Sequence, residues 1–214
     1  MTTTLHSAGV RTALARMFAA AELDESTRMP VSPSASAQER ADLLQDLYLP
    51  ISPRGGDLLY SLVRAGRPET VVEFGTSFGI STIYLAAAVA DNGTGHVYGT
   101  EMSRTKIGHA RANLDEAGVG DHVTLLEGDA LETLQDIDGP IGLVLLDGWK
   151  DLCLPVLRLL EPRLTPGALV VADDNTFPAM ADYLAYVREP ANGYVTVDFP
   201  VEDGMEISCR AVTA

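Results

Sequence analysis

From residue 69 onward the chain alternates short apolar runs with stretches whose apolar residues recur every three or four positions, the signatures of strand and helix. The spacing predicts strands over 70–74, 96–101, 122–127, 142–146 and 168–172, followed in turn by helices over 80–90, 104–117, 130–136, 151–161 and 178–188. Leu143-Val144-Leu145-Leu146 and Ala168-Leu169-Val170-Val171-Ala172 are apolar at successive positions, so these strands are covered on both faces and run parallel between helix layers. Residues 194–199 and 205–212 read as two further strands joined by a turn at Glu202-Asp203-Gly204, an antiparallel pair ending the sheet. The predicted architecture is α/β, a three-layer α-β-α sandwich on a mostly parallel seven-stranded sheet with an antiparallel C-terminal hairpin.

Upstream, Val10, Leu14, Met17 and Phe18 recur at helical spacing, and a polar, proline-containing linker follows from Asp24 to Ser36. Helices are predicted over 38–47 and 56–65. The chain divides into N-terminal helices and linker, residues 1–47, expected to cap the remainder or to exchange between copies of a homodimer, and a strand-bearing domain, residues 48–214. No internal repeat is visible.

Composition narrows the class. A chain of 214 residues with 46% hydrophobic and 21% charged residues fits one globular domain. No apolar run approaches the roughly 20 residues that cross a bilayer, and the first 25 residues lack the basic-then-apolar order of an export signal. A cytoplasmic, non-membrane protein is expected. A formal charge of −15 repels phosphate backbones, so nucleic acid is not an expected partner. Cys153 and Cys209 stand far apart and suggest neither disulfide nor zinc; they are expected to be buried apolar residues. Of fifteen basic residues only Lys106 and Lys150 are lysines. That matters because arginine does not accept protons near neutral pH, whereas burial can tune a lysine to do so.

Ligands of open α/β sheets bind beyond the carboxyl ends of the strands. The first strand ends in Glu73-Phe74-Gly75-Thr76-Ser77-Phe78-Gly79, followed by Ser81 in the first turn of a helix. Gly75 and Gly79 permit a tight turn and close ligand approach. The GxxxG spacing is neither a dinucleotide fingerprint nor a P-loop, and it also fits a plain tight turn. Glu73 disfavours phosphate there and favours the ammonium of an amino-acid moiety, directly or through water. Glu101 ends the second strand where Rossmann-like folds place a ribose-binding acid, although a helix-capping role also fits. Asp129 follows the third strand and suits either a helix cap or an adenine contact. The fourth and fifth strands end in Asp147-Gly148-Trp149-Lys150 and Asp173-Asp174-Asn175, so three carboxylates meet at adjacent strand ends. An oxygen-only set suits a hard cation such as Mg²⁺, and near a divalent cation Lys150 holds its proton less firmly. Residues 173–175 also fit the N-cap of a helix near Pro178, with Asn175 or Thr176 as cap, and Trp149 fits a core aromatic. The four histidines fall away from the strand ends and read as structural.

From about Leu47 to Ser208 the chain resembles the catechol O-methyltransferase-like, class I S-adenosylmethionine (SAM)-dependent methyltransferases, most specifically over Leu146–Pro155 and Val171–Asp174. The resemblance implies a Rossmann-like sandwich preceded by N-terminal helices. It implies Glu73, Gly75, Thr76, Ser77, Gly79 and Ser81 as the methionine-binding segment, Glu101 as the ribose ligand, and Met102, Asp129 and Ala130 around the adenine. Leu49-Pro50-Ile51 resembles the segment covering the cofactor, with Ile51 in contact, and Trp149 matches an aromatic beside the cofactor. Asp147, also near the cofactor, Asp173 and Asp174 match the metal ligands, and Lys150 matches the base taking the proton from the substrate hydroxyl. Asp174 replaces the asparagine of the animal enzyme and Gly148 its histidine. The carboxylate holding the second catechol hydroxyl has no clear counterpart; extension places Val197 there, with Asp198 one step away. The resemblance thus implies SAM-dependent O-methylation of a small hydroxylated, aromatic acceptor aided by a divalent cation, expected to be Mg²⁺. Alternatives are a metal-independent N- or O-methyltransferase of a small molecule and a noncatalytic Rossmann-like binding protein; an NAD-dependent oxidoreductase is disfavoured by Glu73 and the missing GxGxxG.

Overall fold

A computed structural model describes residues 2–24, 35–137, 139–201 and 203–212. Residues 25–34, most of the expected linker, and Glu202 of the expected turn lie outside the described residues. Three helices come first: α1 (Ala8–Asp24), α2 (Ala37–Leu43) and α3 (Pro53–Gly66). Strand and helix then alternate as β1 (Thr70–Phe74), α4 (Ile80–Asn92), β2 (His96–Glu101), α5 (Arg104–Ala117), β3 (Val123–Glu127), α6 (Ala130–Thr133), β4 (Ile141–Leu146), α7 (Cys153–Leu160), β5 (Leu164–Asp173) and α8 (Ala181–Arg188), before the hairpin β6 (Tyr194–Phe199) and β7 (Met205–Arg210).

Strand order is β3-β2-β1-β4-β5-β7-β6, with β7 running antiparallel to the other six strands. β1 pairs with β2 on one side and β4 on the other, so consecutive crossovers diverge there and open a crevice at their carboxyl ends. The continuous apolar runs have the predicted cause. Leu143 and Leu145 enter the core shared with α1, α3 and α4, whereas Val144 and Leu146 enter the core shared with α7 and α8. Each such buried side chain stabilises the fold by roughly 1.5–3 kcal/mol. Among the described residues, no helix is long and apolar enough to cross a membrane.

Several boundaries differ from the pattern. The helix expected over 130–136 stops at Thr133, and the one expected over 38–47 stops at Leu43. The regions before α7 and α8 are 3-10 turns, Lys150–Leu152 and Pro178–Met180. The fifth strand starts four residues early, at Leu164, by pairing with Ile141, and β7 ends at Arg210. Cross-strand hydrogen bonding, which a one-dimensional pattern does not contain, sets these limits. Of the cysteines, Cys153 is buried as expected, but Cys209 is half-exposed.

The N-terminal segment joins the main core. Val10, Ala13, Leu14 and Met17 of α1 are buried there, and Thr4 donates through its N–H and hydroxyl to Asp91 at the end of α4. Ser36 and Glu39 form a reciprocal cap at the start of α2.

Candidate active site

The turn after β1 is held from the β2 and β4 sides. The Gly75 and Thr76 N–H groups donate to Thr100 O at 3.2 and 3.0 Å, and the Asp147 N–H donates to Phe74 O at 2.9 Å. Gly75 has φ +99°, and a Cβ there would lie 2.6 Å from the Gly148 nitrogen. Gly148 in turn leaves room for the Phe74 ring, which a Cβ would meet at 2.4 Å. The loops after β1 and β4 therefore interlock through two glycines. Gly75→Ala is expected to destabilise the fold by roughly 2–4 kcal/mol, since strained φ and a backbone clash act together. Thermal unfolding checks this, and a Tm within about 1 °C of wild type would refute it.

Glu73 is fully buried beneath this loop, accepting hydrogen bonds from the hydroxyls of Ser81, Thr82 and Thr76 at 2.5, 2.6 and 2.9 Å. Gly99 leaves the space, because a Cβ there would lie 2.4 Å from Thr76 Oγ1. Glu73 lines neither cavity described below, so its carboxylate braces the loop from behind instead of meeting a ligand directly. Burial pushes its pKa up to about 7, against the opposing effect of the three hydroxyls. The folded state thus binds this proton more tightly than the unfolded chain, whose ordinary value is 4.5. The stabilisation is complete below the unfolded value and is lost as pH rises through the folded one, on the order of 3 kcal/mol in all. Urea unfolding at several pH values is expected to show this loss in wild type and not in Glu73→Gln; equal slopes in both proteins would refute it.

A cavity of about 610 Å³ extends along the strand ends, a size suited to a cofactor-like ligand. Gly75, Ser77, Glu101, Met102, Asp129 and Ala130 line one part; Asp147, Trp149, Lys150, Asp173 and Asp174 line another. Ile51, Thr76 and Ser81 line a smaller recess that shares Gly75, Ser77 and Asp147 with the cavity. Gly79 lines neither and serves as the left-handed N-cap of α4.

Glu101 accepts the Ser77 N–H at 2.8 Å and the Ser103 N–H at 2.7 Å, so it ties the loop to the start of α5 while facing the cavity. Asp129 accepts the Leu131 N–H at 2.8 Å, capping α6 from the cavity wall. At the other end, Lys150 Nζ lies 3.0 Å from Asp147 Oδ1 and 3.0 Å from Asp174 Oδ2. Burial alone would lower the Lys150 pKa, but the two carboxylates outweigh it and hold the ammonium well above the usual lysine range. Asp147, Asp173 and Asp174 each bring a ligand oxygen within 4.8 Å of the others. Three carboxylates so close, with oxygen donors only, fit a hard divalent cation.

The turn carrying these aspartates is held from the hairpin side. Asp174 takes a left-handed backbone, φ +56°. Asn175 does not cap a helix as the pattern suggested. The turn at Pro178 has no side-chain cap, and the Asn175 amide donates to Asp198 at 2.9 Å and to buried Glu206 at 3.3 Å. Burial would raise the Glu206 pKa, but bonds from Arg188 and Thr196 hold it below the usual carboxylate range. Val197 is exposed, so the position extended to the family's second-hydroxyl carboxylate offers no such group, and Asp198 is turned to Asn175.

Residues outside the sequence-derived set complete the wall. Arg40 of α2 donates to both oxygens of Asp151, at 2.9 and 3.0 Å, and its guanidinium lies 4.8 Å from the Trp149 ring centroid. Leu44 and Phe177 supply apolar surface beside Leu49 of the segment expected to cover the cofactor, Asp203 another acid, and Lys106 a buried cation. Lys106 had one signal in the sequence, as one of two lysines. Arg40 had none, because its segment comes before the region of resemblance.

Residues 72–175 match the family described as a methyltransferase domain, a span containing every aspartate of the cluster and Lys150. The chain is 32% identical over 167 residues to catechol O-methyltransferase B of Danio rerio, covering 72% of this chain and 62% of that protein. It is 32% identical over 141 residues to a catechol O-methyltransferase of Mycobacterium tuberculosis, covering 65% and 63%. These matches thus span less than two thirds of either relative. Among solved structures, cofactor-bound Rv0187 from MTB superposes with a TM-score of 0.73 at 25% identity, covering 98% of this chain and 94% of that one. An O-methyltransferase from Bacillus cereus in complex with SAH shares the fold, with a TM-score of 0.67 at 21% identity over 92% and 99% of the two chains. With the interlocked glycine loop, the strand-end acids and the matching domain on one sheet, the chain carries a methyltransferase domain similar to those of the catechol O-methyltransferase-like, class I SAM-dependent methyltransferases.

Proposed function

We propose that the protein transfers a methyl group from SAM to a hydroxyl oxygen of a small, hydroxylated aromatic acceptor. The observation carrying this reading is the union, in one cavity, of the loop and Glu101 at one end with Lys150 between Asp147 and Asp174 at the other. Leu49 and Phe177, 53% and 44% exposed on the cavity wall, suit a flat apolar acceptor. Asp147, Asp173 and Asp174 would hold a hard divalent cation such as Mg²⁺, whose contribution would be to position an acceptor oxygen and make its hydroxyl more acidic. Lys150 takes that proton. The acceptor oxygen forms its bond to the methyl carbon as the carbon–sulfur bond breaks, and the electron pair stays on sulfur. Catalysis then rests on alignment and charge placement, without a covalent enzyme intermediate.

The direct ion pairs also support a second reading, in which the aspartates serve only Lys150 and transfer to oxygen or nitrogen needs no metal. Transfer of labelled methyl from SAM to vicinal diphenols and related hydroxylated aromatics, with EDTA and with Mg²⁺ added back, tests both. Absence of SAM binding and of transfer to every acceptor would overturn the methyltransferase reading, and EDTA-insensitive transfer would leave the second.

A further inference from the structure

Three cations line the cavity, and they differ in what neutralises them. Arg40 is held by both oxygens of Asp151, and Lys150 by Asp147 and Asp174. Lys106, in the first turn of α5, is 5% exposed, yet among the described residues it makes no ion pair within 4.0 Å. Its ammonium donates to the Ser77 hydroxyl at 3.1 Å and lies 5.6 Å from the Phe78 ring centroid. An ammonium has three donors, and a hydroxyl with an aromatic face compensates its desolvation only in part. Burial accordingly lowers the Lys106 pKa, opposed by the more distant acids Glu101, Asp24, Asp147 and Asp46.

Position narrows what would complete this site. The Ser77 hydroxyl that receives Lys106 itself donates to Tyr48 O, so the ammonium marks the junction of the glycine loop and the segment from Tyr48 to Ile51. Lys106 lines the main cavity, which shares Leu49, Pro50, Gly75, Ser77 and Asp147 with the recess at that junction; the recess is lined further by Ile80 and Ser81, in the first turn of α4, where N–H groups lack partners within the helix and favour an anion. A phosphate would be disfavoured by Asp147, which lines both the cavity and the recess, and by Glu101 and Asp129 on the cavity wall. A zwitterion offers one carboxylate beside cationic groups that suit those acids.

We propose that Lys106 is the anion-binding residue of the cavity and receives the carboxylate at the amino-acid end of the ligand. The assignment rests on the SAM reading and deepens it. It is tested by calorimetric Kd values for S-adenosylhomocysteine and for its analogue lacking only the carboxylate, with wild type, Lys106→Met and Lys106→Arg in the full chain. Lys106→Met is expected to weaken S-adenosylhomocysteine about thirty-fold and to leave the analogue within about two-fold, with Lys106→Arg recovering part of the loss. In turnover, KM for SAM should rise while kcat at saturation holds. Lys106→Gln, which keeps a donor without charge, should show the same carboxylate-specific loss if Lys106→Met does not fold. Equal weakening of both ligands, or of neither, overturns the assignment. Failure of wild type to bind S-adenosylhomocysteine overturns the SAM reading itself, a result distinct from binding that the substitutions leave unchanged.

Discussion

Lys150→Met is expected to lower kcat for methyl transfer roughly a thousand-fold while leaving cofactor affinity within about two-fold, since a positioned general base contributes about a hundred- to ten-thousand-fold. Lys150 stands at the end of β4 on a 3-10 turn, with its amine fixed by Asp147 and Asp174. Those carboxylates hold its proton when nothing else engages them. A divalent cation on the same oxygens would remove that counter-charge and add a like charge, and both changes favour the neutral amine. Lys150→Arg separates the base from its charge. Arginine keeps a cation near the aspartates but does not accept a proton at working pH, so it should be nearly as inactive as methionine. The wild-type rate should rise with pH through the ionisation of the base, and both variants should lack that limb. Steady-state kinetics across pH checks this. Activity of Lys150→Arg within about ten-fold of wild type would mean that charge, not proton transfer, is what Lys150 supplies.

Removal of divalent cation by EDTA is expected to reduce transfer at least a hundred-fold, with recovery on adding Mg²⁺. The reason lies in the balance of charge at the strand ends. Asp147, Asp173 and Asp174 converge within 4.8 Å, and a single ammonium pairs with two of them. Such a cluster remains net negative, and oxygen ligands of this kind prefer a small hard cation. Binding should also stabilise the fold, by about 2.7 kcal/mol at a hundred times Kd, which raises Tm by several degrees. Asp147→Asn and Asp174→Asn should lose both the Tm shift and the Mg²⁺ rescue. Calorimetric scans with and without Mg²⁺ read this independently of turnover. Full activity in EDTA with no Tm shift would assign the aspartates to Lys150 alone.

Much of the site was legible in the sequence because its residues close successive strands. A strand's last residues point to the same end of the sheet whatever its neighbours, so Glu101, Asp129, Asp147, Asp173 and Asp174 could be grouped before their contacts were known. The β-α alternation was readable for a related reason: each apolar run or helical stripe reports its own burial, as Leu143–Leu146 does by dividing between two cores. Other features depend on partners distant in the chain. Glu73 reads from the sequence as attracting an ammonium directly or through water; that Gly99 and the hydroxyls of Thr76, Ser81 and Thr82 close around its carboxylate from neighbouring elements is visible only in the structure. The alternative of a helix cap at Asn175 or Thr176 rests on local pattern alone, and the Asn175 amide instead donates to Asp198 and Glu206 of the hairpin.

Composition marked two lysines as unusual, since rarity is a property of a linear chain. Only the tertiary structure decided that both lysines line one cavity, one neutralised by aspartates and the other not. Only it brought Arg40, which lies outside the resemblance, over Trp149. The physical reason is common to these cases. Periodicity and strand-end position are set by neighbours along the chain, whereas desolvation and ion pairing are set by neighbours through space, and those exist once the sheet has closed around them.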